Sequence, residues 1–266
     1  MKKTLAILNF TSIILVIAIN YISQVLRLND TTIGEISGRY DNLFTPASYS
    51  FAIWGIIFLG LIVYGIFQIH RAFFSTKESN FIEKTRYWFI VANVLNSAWV
   101  FAFIYDYTGL SVLIMLVILF ALIKIILNTN MELWDAPVEV IAFVWWPICI
   151  YSGWIAVATI ANISAYLTKI GWDGSFLSQE SWTITMIVVA TLLNLLMIWK
   201  RNMREFALVG VWALFAIYVR HKTNYETIAY TALIGSIILL VSTAIHGFIN
   251  RKTNPLQKLL ERRLEN

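Results

Sequence analysis

Eight stretches of this chain hold no Asp, Glu, Lys or Arg: residues 4–26, 42–69, 87–105, 107–123, 140–168, 181–199, 206–219 and 227–250. A charge at the centre of a bilayer costs about 2.5–3.5 kcal/mol, so uninterrupted runs of this kind mark candidate membrane spans. Most of them exceed the 17 or so residues needed to cross about 30 Å of hydrocarbon. The run 206–219 is the short one. Its fourteen residues rise only about 21 Å as a helix, and Arg204 and Arg220 at its ends must snorkel for it to span. Hydrophobic residues make up 59% of the chain and charged ones 13%. A soluble domain carries about 25% charged residues, so lipid is the expected solvent. The predicted fold class is all-α: a polytopic transmembrane helix bundle of about eight helices.

The distribution of basic residues supports the count. With eight spans and the N-terminus inside, 15 Lys and Arg fall on the cytoplasmic side and 5 outside. Dropping the short span reduces the contrast to 12 against 8. The positive-inside rule therefore prefers eight spans with both termini cytoplasmic, in a multi-pass protein of the cell membrane. The first run follows Met1-Lys2-Lys3 and has 23 residues with no small-x-small cleavage signature after it, so it reads as a retained helix. Residues 251–266 read as a basic tail, with Leu256, Leu259, Leu260 and Leu264 at helical spacing among Lys258, Arg262 and Arg263. The net charge of +5 lies in short clusters between apolar runs, which excludes a nucleic-acid partner and leaves the bilayer as the first partner.

Catalytic signatures are missing. Cys149 is the single cysteine, so neither a disulfide nor a cysteine-based zinc site forms within the chain. His70, His221 and His246 lie far apart. There is no phosphate-binding glycine loop and no nucleophile elbow. Glu132, Asp135 and Glu139 share one face if the segment is helical, and read as a solvated helix start before the next span. Asp106 sits between Tyr105 and Tyr107 in a tight external turn.

The tryptophans divide into two groups. Trp88, Trp134, Trp172, Trp182 and Trp199 lie near predicted helix ends and read as an interfacial belt. Trp54, Trp99, Trp145, Trp146, Trp154 and Trp212 lie deeper, and a deep indole must pack its ring and pair its N–H. Asn96 and Asn162 fall inside spans, where an amide must bond either to another helix or into a pocket.

Leu95-Asn96-Ser97-Ala98-Trp99 resembles the L-N-x-A-W element of the tryptophan-rich sensory protein family, also called the translocator protein or peripheral benzodiazepine receptor family. Trp154 and Asn162 reproduce the family's W-to-N spacing of eight, although Pro147 stands seven before Trp154 instead of four. The segment Pro46 to Trp54 is similar to the family's P-P-x-W-x-F-G-P-V-W, with Tyr49 in place of the first Trp, no G-P, and one residue fewer between Phe51 and Trp54. The resemblance covers roughly residues 4–165. It implies a divergent and extended relative: a five-helix core over 1–165, three additional helices over 166–250, and the tail.

By that resemblance, Tyr49, Phe51, Trp54, Asn96, Trp99, Trp154 and Asn162 face an intrabundle pocket for a flat hydrophobic ligand such as a tetrapyrrole, sterol or isoprenoid. A long first loop covers the pocket, and a homodimer is expected. No cofactor is required; a tetrapyrrole would enter as ligand. The protein then acts as a sensor, regulator or carrier. The residues alone leave a small-molecule transporter, a ligand-free membrane scaffold and a membrane enzyme open as other readings.

Overall fold

The computed structural model describes residues 1–40, 42–172 and 174–251; the amphipathic tail expected over 251–266 lies, apart from Arg251, outside the described residues. Among the described residues there is no strand. Eight long helices correspond to the eight charge-free runs: α1 (Lys2–Val25), α2 (Ile53–Phe73), α3 (Trp88–Ile104), α4 (Thr108–Asn128), α5 (Trp146–Lys169), α6 (Gln179–Arg201), α7 (Arg204–His221) and α8 (Glu226–Ile249). Six segments are long and apolar enough to cross a membrane, namely α1, α2 with its preceding turn, α4, the stretch Val138–Lys169 that includes α5, α6 and α8. The helix α3 is apolar but has only 17 residues.

The short run acquires its length in the structure. α7 has 18 residues because it takes in Arg204 and Glu205 at one end and Arg220 and His221 at the other. That is about 27 Å of rise, close to the hydrocarbon thickness. Its low hydropathy is tolerated because it packs against α5, α6 and α8. Ala207, Gly210, Ala213 and Ala216 are buried there. Small residues of this kind let backbones approach closely. A Cβ at Gly153 of α5 would lie 2.9 Å from the carbonyl oxygen of Phe206, and one at Gly210 would lie 2.6 Å from the Asn194 Oδ1 of α6.

The hub is α5. In the segment containing it, 72% of the most apolar window is buried, against 33–39% in the other spans. It touches α2 and α4 on one side and α7 on the other. Its approach is irregular: a π-helical turn occupies Ile141–Trp145 just before Pro147. Proline lacks the amide that would bond residue 143, and its ring crowds that carbonyl, so the chain widens there. The flat face of Pro147 then packs on Gly60 of α2.

Around this hub, α1 packs on α2 and α3, α3 on α4, and α8 on both α6 and α7. One apolar core fills α1 to α5 and takes Met203, Phe206 and Val209 from the start of α7. A second fills α6 to α8 and takes Leu43, Phe44 and Val157 from the first five-helix region. The last three helices are thus built into the body through α7. Leu59, Leu113 and Ile234 are more than half exposed, as side chains facing lipid are.

α1 carries polar residues inward. Asn9 donates to Gln68 Oε1 (2.8 Å), Ser12 accepts from Asn93 (3.0 Å) and Asn20 donates to Asn96 Oδ1 (3.3 Å). In hydrocarbon such amides have no water to fall back on, so these bonds fix α1 against α2 and α3.

Candidate functional site

The long connection between α1 and α2 covers one end of the bundle. Its folding is locally encoded. Thr32 and Glu35 form a reciprocal capping box that starts the short helix Ile33–Arg39. Asn42 Oδ1 accepts from both the amide and the hydroxyl of Thr45, at 2.9 Å each. The loop is then strapped to the bundle. Arg220 Nη1 donates to the Thr45 carbonyl (2.6 Å), His221 Nε2 meets the Leu43 carbonyl (2.9 Å) and the Trp212 indole donates to the Ser50 carbonyl (3.0 Å). All three straps come from α7.

A further tie gathers at the turn between α3 and α4. The Tyr40 hydroxyl donates to both Asp106 oxygens (2.7 and 2.9 Å), Lys169 Nζ stands 3.1 Å from Asp106 Oδ2, and Arg39 Nη1 is 3.9 Å away. Partial burial works against the Asp106 charge, but the Tyr40 hydroxyl and then Lys169 and Arg39 outweigh it, so the carboxyl titrates below its ordinary value. Burial and then the Asp106 carboxylate push the Tyr40 hydroxyl up.

Beneath this cover lies a cleft between α2, α3, α4 and α5. Phe51, Trp54, Trp99, Phe103 and Trp154 line it together with the small side chains Ala158, Ala161 and Ala165 of α5. Trp99 stacks on Phe103 (centroids 4.9 Å apart), and Phe51 meets Trp154 edge-on (5.9 Å). The Trp99 indole donates to Asn162 Oδ1 over 2.9 Å, and Asn162 Nδ2 donates to Ser111 Oγ, also over 2.9 Å. The space left between the walls is about 40 Å³.

Of the seven residues expected at a pocket, Phe51, Trp54, Trp99, Trp154 and Asn162 line this cleft. Two stand elsewhere. Asn96 donates to the Tyr151 hydroxyl (2.9 Å) and accepts from Asn20, which makes it a tie between α1, α3 and α5. Tyr49 lies edge-on against Trp212 (5.3 Å) and is partly exposed. Its place on the loop points it to α7 instead of inward. Phe103 was not anticipated, although it lies one helical turn beyond Trp99 and so on the same face.

The match to the TSPO-like protein family runs over residues 6–245. The chain belongs to that family. No curated protein and no solved structure matches it. In this TSPO-like chain the match extends past residue 165, where the motif resemblance ends, into the last three helices.

The opposite end of the bundle differs from the sequence expectation. Residues 129–137 form a loop, so Glu132, Asp135 and Glu139 do not share a helical face. Glu132, at a φ of 62°, turns toward α5 and α7. Its carboxylate, Cys149 Sγ and the Glu205 carboxylate lie within 4.8 Å of one another; among the described residues these are the donors that converge closely enough to hold a metal ion. Burial, and then the neighbouring Glu205, push the Glu132 carboxyl up to about 8, with Arg204 acting in the opposite sense. Glu139 faces Lys77 at 3.8 Å, and His70 is exposed on α2 away from this group.

Proposed function

We propose that the covered cleft binds a flat hydrophobic molecule of the tetrapyrrole, sterol or isoprenoid kind, and that the protein works as a membrane sensor, regulator or carrier for it. The observation that carries the reading is the convergence of five aromatic side chains from the loop and three elements of the bundle on one narrow space. Aromatic side chains offer stacking to a planar ligand and little to a polar one. The Trp99–Asn162–Ser111 chain holds the Trp99 indole in place, so the wall is organised before a ligand arrives.

On this proposal a ligand enters as the loop over 26–52 lifts, and the loop's ties to α7 and to Asp106 connect occupancy to the rest of the body. In this reading the five-helix body over 1–165 holds the ligand, and the three helices over 166–250 sense whether the cover is closed. The basic end is cytoplasmic by the positive-inside rule, with the cover outside. A homodimer in the cell membrane belongs to the same proposal.

The test is intrinsic fluorescence of the purified chain in detergent, titrated with protoporphyrin, a sterol and a carotenoid-like lipid, and repeated on Trp54→Phe and Trp154→Phe. Saturable quenching by one of them, weakened in either variant, supports the reading. A folded protein that answers to none of them overturns it and leaves the transporter and scaffold readings.

A further inference from the structure

At the basic end a second cavity, of about 870 Å³, opens between the end of α2, the short helix Asn80–Thr85 and the loop after α4. That lies within the usual range for small-molecule sites. Its lining combines two chemistries. Phe81, Trp134 and Trp145 supply an apolar wall, with the two indoles edge-on at 5.5 Å. Arg71, Lys77 and Lys84 face Glu78 and Glu139, three cations against two carboxylates. The lining therefore carries one net positive charge.

Arg71 is the decisive residue. It sits in the last turn of α2 and is only 4% exposed, yet its Nη1 has no hydrogen-bond partner. No carboxylate of the described residues reaches it at ion-pair distance; the nearby Glu139 is instead 3.8 Å from Lys77. Its guanidinium lies 4.9 Å from the centre of the Phe67 ring, and Phe67 is packed between Phe81 (5.8 Å) and Phe143 (5.3 Å), so the side chain is held in this position. A buried cation without a counter-charge is costly, and a guanidinium fork suits an oxyanion.

We propose that this cavity is a separate binding site for an amphipathic anion, with a phosphate head group of one net negative charge on Arg71 and an apolar body along Phe81, Trp134 and Trp145. Lys84 supplies a second, outer contact to the head group. Such a phosphate has two sources, the head group of an anionic membrane lipid or a free phosphorylated compound. Basic pockets between helices near the membrane surface select anionic head groups by these forces. A zwitterionic lipid adds a cation to a lining that already has one in excess, so it binds less well.

The delipidated full-length chain in neutral detergent is titrated calorimetrically with short-chain phosphatidylglycerol, with short-chain phosphatidylcholine and with inorganic phosphate. The same titrations are run on Arg71→Gln, Lys84→Gln and Lys222→Gln. Saturable binding of phosphatidylglycerol, about tenfold or more weaker in Arg71→Gln and severalfold weaker in the surface variant Lys84→Gln, is the expected result. Lys222→Gln binds as wild type, because it removes an exposed charge just after α7, away from this lining. Binding of phosphatidylglycerol alone assigns the site to lipid; binding of inorganic phosphate as well assigns it to a soluble phosphorylated compound. Equal binding of the two lipids with no response to phosphate overturns the proposal. So does wild-type affinity in both Arg71→Gln and Lys84→Gln, and if Arg71→Gln does not fold, an unchanged Lys84→Gln is sufficient.

Discussion

The indole nitrogen of Trp99 on α3 donates to the side-chain oxygen of Asn162 on α5 across 2.9 Å, and the same asparagine donates to Ser111 on α4. One amide thus joins three helices at the wall of the cleft. Its removal leaves the Trp99 indole N–H without its partner inside the bundle, while Ser111 keeps its bond to the Thr108 carbonyl (2.7 Å). Asn162→Leu keeps the branched outline of the side chain and removes the bonds. We expect it to destabilise the fold by about 1 kcal/mol, the scale of interhelical hydrogen bonds in membranes. Unfolding of the variant in mixed micelles checks this, and Asn162→Asp at neutral pH should be worse, because it adds a charge.

The cover should loosen when its tie to the turn at Asp106 is cut. Asp106→Asn removes the charge that faces Lys169 and Arg39 while leaving an acceptor for Tyr40. Limited proteolysis or amide exchange within 27–52 should rise several-fold in the variant. The wild type should show the same change in acid. The Asp106 carboxyl titrates below its ordinary value in the fold, so its contribution is present above the unfolded value and is lost as pH falls through the folded one. A cover equally protected in Asp106→Asn would mean that the Asp106 charge adds nothing to the bonds made by Tyr40, Asn29 and the α7 straps.

Glu132 should behave in the opposite sense. Its folded carboxyl is pushed up to about 8 from an ordinary 4.5. The folded state then holds a proton that the unfolded state has released between those values, so stability falls as pH rises through that window. Glu132→Gln mimics the protonated form. Its thermal midpoint should be flatter from pH 5 to 9 than that of wild type, and higher at the alkaline end. A wild-type slope in the variant would assign the pH dependence to another group.

These three residues were not equally visible in the sequence. The helices were, because eight charge-free runs leave few other ways to satisfy backbone groups in lipid. Trp99 and Asn162 were visible through motif spacing. The Asp106 tie was not: its partners lie more than sixty residues away in each direction, and a turn reading exhausts the local signal. Glu132 was misread, since its spacing to Asp135 and Glu139 has meaning only in a helix and residues 129–137 are a loop. Arg71 looked like any cation at the end of a span. Only the packing against Phe67 and the Nη1 without a hydrogen bond among the described residues show that it is buried with bonding capacity unused.

The junction of α5 with α7 gives the last prediction. A side chain at Gly153 would press on the backbone of Phe206, with Cβ 2.9 Å from its carbonyl oxygen and 3.1 Å from the Val209 Cβ. Backbone cannot swing aside as a long side chain can, so α7 must shift as a unit. Gly153→Ala should cost about 1–3 kcal/mol, the usual range for overpacking, and Gly153→Leu should cost more. Because α7 also straps the cover through Trp212, Arg220 and His221, the shift should reach the far end of the bundle. We expect amide exchange in 42–52 to rise in Gly153→Ala although that segment is not altered. If the variant unfolds more easily while the cover keeps its protection until global unfolding, then α7 anchors the fold without transmitting to the loop.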